Sequence, residues 1–430
     1  MKIFDYNNCK TKQIEELFSR PVMNYNSIYK LITPIIDDIK TIGDKAVLEY
    51  ARKLDNFTGN SIKVSEEELQ ESVNKVPKEL KQAIRVSANN ILKFHKKQFP
   101  KNYVVETSKG VLCGRKYEPI ENVGLYIPGG NTVLISTILM LVIPAKIAGC
   151  KRIVLCSPCK GEKLSNELLF TANYLGIEEI YKVGGAHAIA MLAYGTKSIN
   201  KVDKIFGPGN QYVTAAKSLI SIDPNGCPID MPAGPSELLI IADKTANAVF
   251  IAADLLSQAE HGADSQVILL TTDYNLAKSV QKQVYLQLKK LPRRYLAEQS
   301  LKYSFIMIVK DINQAIELSN QYAPEHLIMN FKNADRFINK IKNAGSIFIG
   351  PYSPESAGDY SSGTNHSLPT YGYAKSYGGV SVEMFMKTIS YQKISKPGLK
   401  KISDSIIKLA ETENLQAHAN AIKVRIKNEY

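Results

Sequence analysis

The spacing of hydrophobic residues changes twice along this chain, near residues 120 and 381, and each change marks a different architecture. Through the first hundred residues the apolar positions recur at helical intervals. Residues 26–54 read as amphipathic helix, and Ser65 with Glu68 makes a capping box that opens the next helix. Strand-like segments follow at 103–106 and 111–117. From about residue 120, short apolar strands alternate with helical stretches, the signature of parallel α/β architecture. The candidate strands are 123–127, 152–156, 179–183 and 204–206, each followed by glycine or proline. A second series opens after Pro235, with strands at 237–242, 266–271, 304–309, 326–330 and 346–349. Past residue 381 the pattern returns to helix, with 388–392 as an extended exception, and the segment 404–427 closes the chain.

The pattern predicts an α/β fold of two doubly wound parallel-sheet modules, incomplete and Rossmann-like, with helical N-terminal and C-terminal segments. At 430 residues the chain is long enough for two or more domains. Its longest apolar stretch, 132–143, ends in Pro144 and falls short of the roughly 20 residues that cross a bilayer, so it reads as a buried helix and no membrane partner is expected. Residues 1–12 lack the apolar core and cleavage site of a signal peptide, which gives a mature start and a cytoplasmic address as the expectation. The net charge of +13 invites an anionic partner, yet the lysines are scattered among acidic residues and no run interleaves them with aromatics. A solvated, lysine-rich surface is therefore expected rather than a nucleic-acid face. Six cysteines include one C-x-x-C, Cys156 to Cys159, without the second pair that a structural zinc uses. Reduced thiols at the end of a buried strand and a redox pair are its two readings.

Ligands of doubly wound sheets bind outside the carboxyl ends of strands. Three glycine-rich turns fall there: 126–130, Gly184-Gly185-Ala186-His187 and Gly207-Pro208-Gly209-Asn210. Each either brings backbone N–H groups to a phosphate or only closes a strand, since none matches G-x-G-x-x-G. Of six histidines, His95 at the basic end of a helix reads as surface. His187 follows a Gly-Gly turn, where it touches a cofactor or satisfies a helix end. Gln258 and His261 are three apart, so a helix would present both heads on one face. Glu325 and His326 sit at a loop-to-strand boundary, where a carboxylate suits activation of water and an imidazole suits proton abstraction from an alcohol. The segment 358–366, rich in glycine and serine, reads as a loop that carries Asp359 and His366. Glu413 and His418 read as lying on one C-terminal helix, about 140° apart around it. Gln258, His261, Asp359 and His418 together offer two imidazoles, a carboxylate and an amide, a donor set that suits zinc with positions left open for substrate.

At these residues the chain resembles the histidinol dehydrogenase family. The resemblance rests on Ile229-Asp230-Met231-Pro232-Ala233-Gly234-Pro235-Ser236-Glu237-Leu238, on Ala253 to His261, on Ala323-Pro324-Glu325-His326-Leu327, on Gly358 to His366 with Leu368-Pro369-Thr370, and on Glu413-x4-His418. These motifs stand in the family's order from about residue 25 to the C-terminus. The resemblance implies zinc- and NAD-dependent oxidation of L-histidinol through L-histidinal to L-histidine, the last step of histidine biosynthesis. It implies zinc on Gln258, His261, Asp359 and His418, with Ser236, His366 and Glu413 joining them around the substrate. His326 would be the base in both oxidations, and Glu325 would activate the water that attacks the aldehyde. Cofactor contacts would fall on Tyr126, His187 and Asn210, although the family usually has glutamine where His187 stands. A proline is common at the position of Cys159.

The family also implies a homodimer in which Glu413 and His418 serve the other subunit's active site. The expected division is a helical arm domain of 1–24 and 381–408, a first α/β domain of 25–125 and 237–380 carrying most metal and catalytic residues, an NAD-binding α/β domain of 126–236, and a C-terminal helical segment of 409–430 that reaches the partner. The alternative is a zinc hydrolase that needs no NAD, against which the glycine turns after parallel strands weigh. A nucleic-acid-binding protein reading the positive charge is the rival from another class.

Overall fold

Six consecutive buried positions in each of the segments 237–242 and 266–271 leave no solvent-facing side, as in a parallel sheet covered on both faces. The computed structural model describes residues 1–20, 25–129, 134–232 and 234–427. Gly130 and Ala233, in two of the motifs above, and Thr132 and Val133, in the apolar stretch, lie outside them. In chain order the strands are β1 (Lys2–Asp5), β2 (Tyr103–Ser108), β3 (Val111–Pro119), β4 (Asn122–Tyr126), β5 (Arg152–Cys156), β6 (Glu179–Tyr181), β7 (Lys204–Phe206), β8 (Glu237–Ala242), β9 (Gln266–Thr271), β10 (Phe305–Ile308), β11 (His326–Asn330), β12 (Ser346–Ile349) and β13 (Met386–Ile394).

The larger sheet runs β1-β10-β9-β8-β11-β12, parallel throughout. Alternation along β8 sends Leu238 and Ile240 into a core with helices Ala248–Ala259 and Tyr274–Leu288, and Leu239 and Ile241 into one with helix Ile312–Tyr322. Each such buried side chain contributes about 1.5–3 kcal/mol of transfer free energy. The smaller sheet runs β6-β5-β4-β7, also parallel. One of its faces packs on helix Gly185–Tyr194 and helix Gln211–Ile222, the other on helix Ile135–Ala148 and helix Asn166–Tyr174. In both sheets the order reverses beside the first strand of the series, between β4 and β7 and between β8 and β11. The alternation read from the sequence thus gives two parallel sheets flanked by helices. Among the described residues no helix is long and apolar enough to cross a membrane.

Several elements differ from the sequence reading. The segment 26–54 is two helices, Tyr25–Ile42 and Asp44–Asp55, divided at Gly43, whose φ of 69° favours glycine. The apolar stripe Ile28, Ile32, Ile36 and Ile39 joins the core of the smaller sheet, so this helical region packs there and not with the larger sheet in which 25–125 was grouped. The helix begun in the apolar stretch passes through Pro144 and ends at Ala148. Residues 2–5, read within a helical stretch, form β1 at the edge of the larger sheet. The extended exception at 388–392 is the nine-residue β13, which pairs antiparallel with β3 in a three-stranded sheet β13-β3-β2. The C-terminal segment is a helical hairpin, Lys396–Thr412 and Gln416–Ile426, turned at Asn414 with φ 58°. Glu413 caps the first helix and His418 lies in the second, so they do not share one helix and the angular argument for them fails.

Candidate active site

β8 and β11 pair in parallel with His326 opposite Leu238, which sets the main chain of Glu237 beside the Glu325-His326 step. The Glu237 N–H donates to Glu325 Oε2 at 2.8 Å, and His326 Nδ1 lies 3.2 Å from the Glu237 carbonyl oxygen. A carbonyl only accepts, so Nδ1 carries the proton and Nε2 of the neutral ring keeps its lone pair. Nε2 is buried without a hydrogen-bond partner among the described residues, 3.8 Å from Asp359 Oδ1. Burial pulls the His326 pKa down, but Glu325, Glu355 and Asp359 draw a proton to the ring and lift it to about 10. Burial pushes the Glu325 and Glu355 carboxyls up, and His326 opposes that in both.

The pocket thus holds more carboxylates than one imidazolium balances. His261, Glu355 and Asp359 each offer a ligand atom, and these atoms lie within 4.8 Å of one another. Helix Ala248–Ala259 ends before His261, so the imidazole comes from the turn beyond the helix and not from a face shared with Gln258. The buried Gln258 amide lies between the Glu355 carboxylate and the Glu237 N–H, within reach of the cluster. Asp359 lies in a short helix, Glu355–Tyr360, where a loop was expected.

Glu355 is the residue the sequence reading missed. It and Asp359 are four apart, a spacing that puts two carboxylates on one helical face, but the signal carries meaning only once the segment is known to be helical. Glu237 was likewise passed over, because its contribution comes from its backbone.

His366 spends both ring nitrogens within the chain: Nδ1 lies 2.9 Å from the Asp359 carbonyl and Nε2 3.2 Å from Thr137 Oγ1. Burial lowers its pKa. Thr137 belongs to the helix that follows β4, so this bond brings the smaller sheet's module to the cluster. His95 was expected at the surface and is fully buried. Its Nδ1 meets the Ile91 carbonyl and its Nε2 the Asn365 amide, because its helix packs under the loop that follows Asp359. Ser236 stands at the amino end of β8, its carbonyl accepting from Gln266 N–H at 3.2 Å. Glu413 and His418 are exposed on the helical hairpin, and no hydrogen bond or ion pair among the described residues links them to the cluster.

A cavity of about 960 Å³ opens at the carboxyl ends of the smaller sheet, lined by Tyr126, Gly129, Pro158, Gly185, His187 and Asn210 among others. The three glycine-rich turns meet there. Tyr126 Oη accepts the Gly185 N–H at 3.2 Å. Asp55 accepts the Gly184 N–H at 2.8 Å and lies 3.1 Å from His187 Nε2, leaving His187 Nδ1 buried without a partner among the described residues. Asn210 caps helix Gln211–Ile222 with its side-chain oxygen. Burial raises the thiol pKa of Cys156 and Cys159, the latter to about 11, which keeps both as unreactive thiols.

Comparison with known proteins points to one family. The family profile described as histidinol dehydrogenase matches residues 18–426. A histidinol dehydrogenase of Campylobacter jejuni is 50% identical over 429 residues, covering 100% of both chains. One of Escherichia coli strain K12 is 48% identical, covering 99% of this chain and 97% of its own. The crystal structure of histidinol dehydrogenase from Elizabethkingia anophelis superposes with a TM-score of 0.95 at 49% identity, covering 99% of this chain and 98% of that one. Nothing in these matches favours a hydrolase.

Proposed function

Starting from the fact that the chain belongs to the histidinol dehydrogenase family, we propose that it oxidises L-histidinol through L-histidinal to L-histidine with two NAD, as an oxidoreductase of histidine biosynthesis. The observation that carries the reading is the buried Nε2 of His326, without a hydrogen-bond partner among the described residues and 3.8 Å from Asp359 Oδ1, with its tautomer set by the Glu237 carbonyl. With a cation offsetting Glu355 and Asp359, two of the carboxylates that raise its pKa, His326 would be free at Nε2 to take the hydroxyl proton in the first oxidation. Glu325, held by the Glu237 N–H, takes a proton from the water that adds to the aldehyde carbon, and the His326 imidazolium returns its proton to the carbonyl oxygen, which forms the hydrate and restores the base. His326 then takes the hydroxyl proton of the hydrate in the second oxidation. One imidazole used twice and one carboxylate used once account for the proton transfers.

The donor set fits a divalent cation. Gln258, His261 and Asp359, with His418 from a second copy of the chain, would hold zinc, and Glu355 would press against them from the same helix as Asp359. Bound there, zinc supplies a clamp on the substrate's imidazole and amino group. Ser236, His366 and Glu413 would line the substrate pocket. NAD, which supplies the hydride acceptor, fits the cavity on the smaller sheet, where Tyr126, His187 and Asn210 would contact it. The unpartnered His187 Nδ1 supports that contact.

A homodimer completes this reading. Val104, Leu112, Ile389 and Tyr391 share one exposed face of the three-stranded sheet, with Tyr103 and Val105 exposed on the other, and the hairpin carrying Glu413 and His418 contacts that sheet. A mixed dimer of His418→Ala and His326→Ala chains is expected to regain one working site, and no recovery would refute sharing. The activity itself is tested by histidinol-dependent NADH formation, lost on chelation, with metal content measured for wild type and His261→Ala. Absence of NADH formation from metal-replete protein would overturn the reading.

A further inference from the structure

One residue, Glu237, holds both catalytic side chains through its backbone, and that residue is itself held. Its side chain is buried and receives Arg20 Nε at 2.5 Å, Arg20 Nη2 at 2.9 Å and the Tyr371 N–H at 2.7 Å. The same Nη2 donates to the Tyr322 carbonyl at 2.7 Å and lies 3.4 Å from that of Ala323, while the guanidinium carbon stands 4.0 Å over the Tyr322 ring. Tyr322 ends the helix Ile312–Tyr322, Ala323 turns at φ 54°, and Pro324 leads straight into Glu325 and His326. Arg20 therefore joins the two approaches to the pocket, the amino end of β8 and the turn before β11.

We propose that Arg20 is a positioning residue for the catalytic pair, locking Glu237 and the 322–323 turn together so that one backbone unit aims Glu325 and His326. The inference rests on the reading that these two residues carry the chemistry. Arg20 makes no hydrogen bond to either of them; it acts through Glu237. The planar fork of an arginine satisfies the bidentate carboxylate and the carbonyls at once, which a lysine ammonium cannot do. Its removal leaves the Glu237 carboxylate buried without its counter-ion.

The test compares wild type, Arg20→Met and Arg20→Lys for NADH formation from histidinol and, separately, from histidinal, with NAD binding followed by titration and folding by circular dichroism. In folded Arg20→Met, kcat on both substrates is expected to fall about 100-fold, as for a misplacement of about 1 Å, with KM and NAD affinity within about 3-fold of wild type. Arg20→Lys should recover part of the rate and stay at least about 10-fold below wild type. If Arg20→Met does not fold, Arg20→Lys carries the test on the same terms. A folded variant with kcat within about 3-fold of wild type, or one whose loss falls on KM or NAD binding, overturns the proposal. If wild type makes no NADH, the functional reading fails instead.

Discussion

The two parallel sheets of this molecule use opposite edges. The smaller opens its cavity at the carboxyl ends of its strands, where helices Ile135–Ala148, Gly185–Tyr194 and Gln211–Ile222 begin. The larger gathers Glu325, His326 and the amide of Gln258 at the amino ends of β8 and β11, where helices Ala248–Ala259 and Ile312–Tyr322 finish. A helix start carries partial positive charge and free N–H groups, and a helix end carries partial negative charge and free carbonyls. The first edge suits phosphate and the second suits cations, whether a metal ion or a protonated amine. The usual preference for carboxyl ends is in this light an electrostatic preference for anions, and a site built around a cation gains from the other edge.

This contrast can be broken. The largest effect is expected from His326→Ala, which should lower kcat about 1000-fold while leaving NAD affinity unchanged by titration. A parallel loss of NAD binding would show that the two edges are one site. Next, Glu355→Ala should weaken zinc about 10- to 100-fold in chelator competition, again without touching NAD. The reciprocal probe is Tyr126→Phe, which strands the Gly185 N–H at a cost of about 1 kcal/mol and should weaken NAD about 5-fold at constant metal content. The smallest change, Ser65→Ala, removes the capping box of helix Glu66–Lys75. Thermal unfolding should show a loss of about 1 kcal/mol, and neither ligand should respond.

What the sequence made legible was what local pattern encodes. The unbroken apolar runs of β8 and β9, the Ser65–Glu68 cap and the boundary placing Glu325 before His326 all depend on near neighbours. The features that escaped depend on partners far along the chain. β13 is exposed along seven of its nine positions, so only 388–392 was read as extended, and its full length rests on pairing with β3. His95 is buried by residues some 270 positions away. Glu355 shares a face with Asp359 only because 355–360 is helical, against the loop-like look of its glycine and serine. That β8 and β11 are neighbours, which sets Glu237 beside Glu325 and His326, comes from strand order, which spacing does not disclose.

β1 pairs with β10, so residues 2–5 find their place only against residues 305–308. On a ribosome adding about 5–20 residues per second, that first strand waits on the order of 15 to 60 s for its neighbour to be made. Helices Tyr25–Ile42 and Asp44–Asp55 and strands β4 to β7 are by then complete and own a core of their own. The nascent polypeptide can therefore finish its nucleotide-sized hollow early, and the clasp that joins Arg20 to Glu237 and the 322–323 turn closes only after residue 323 has been made.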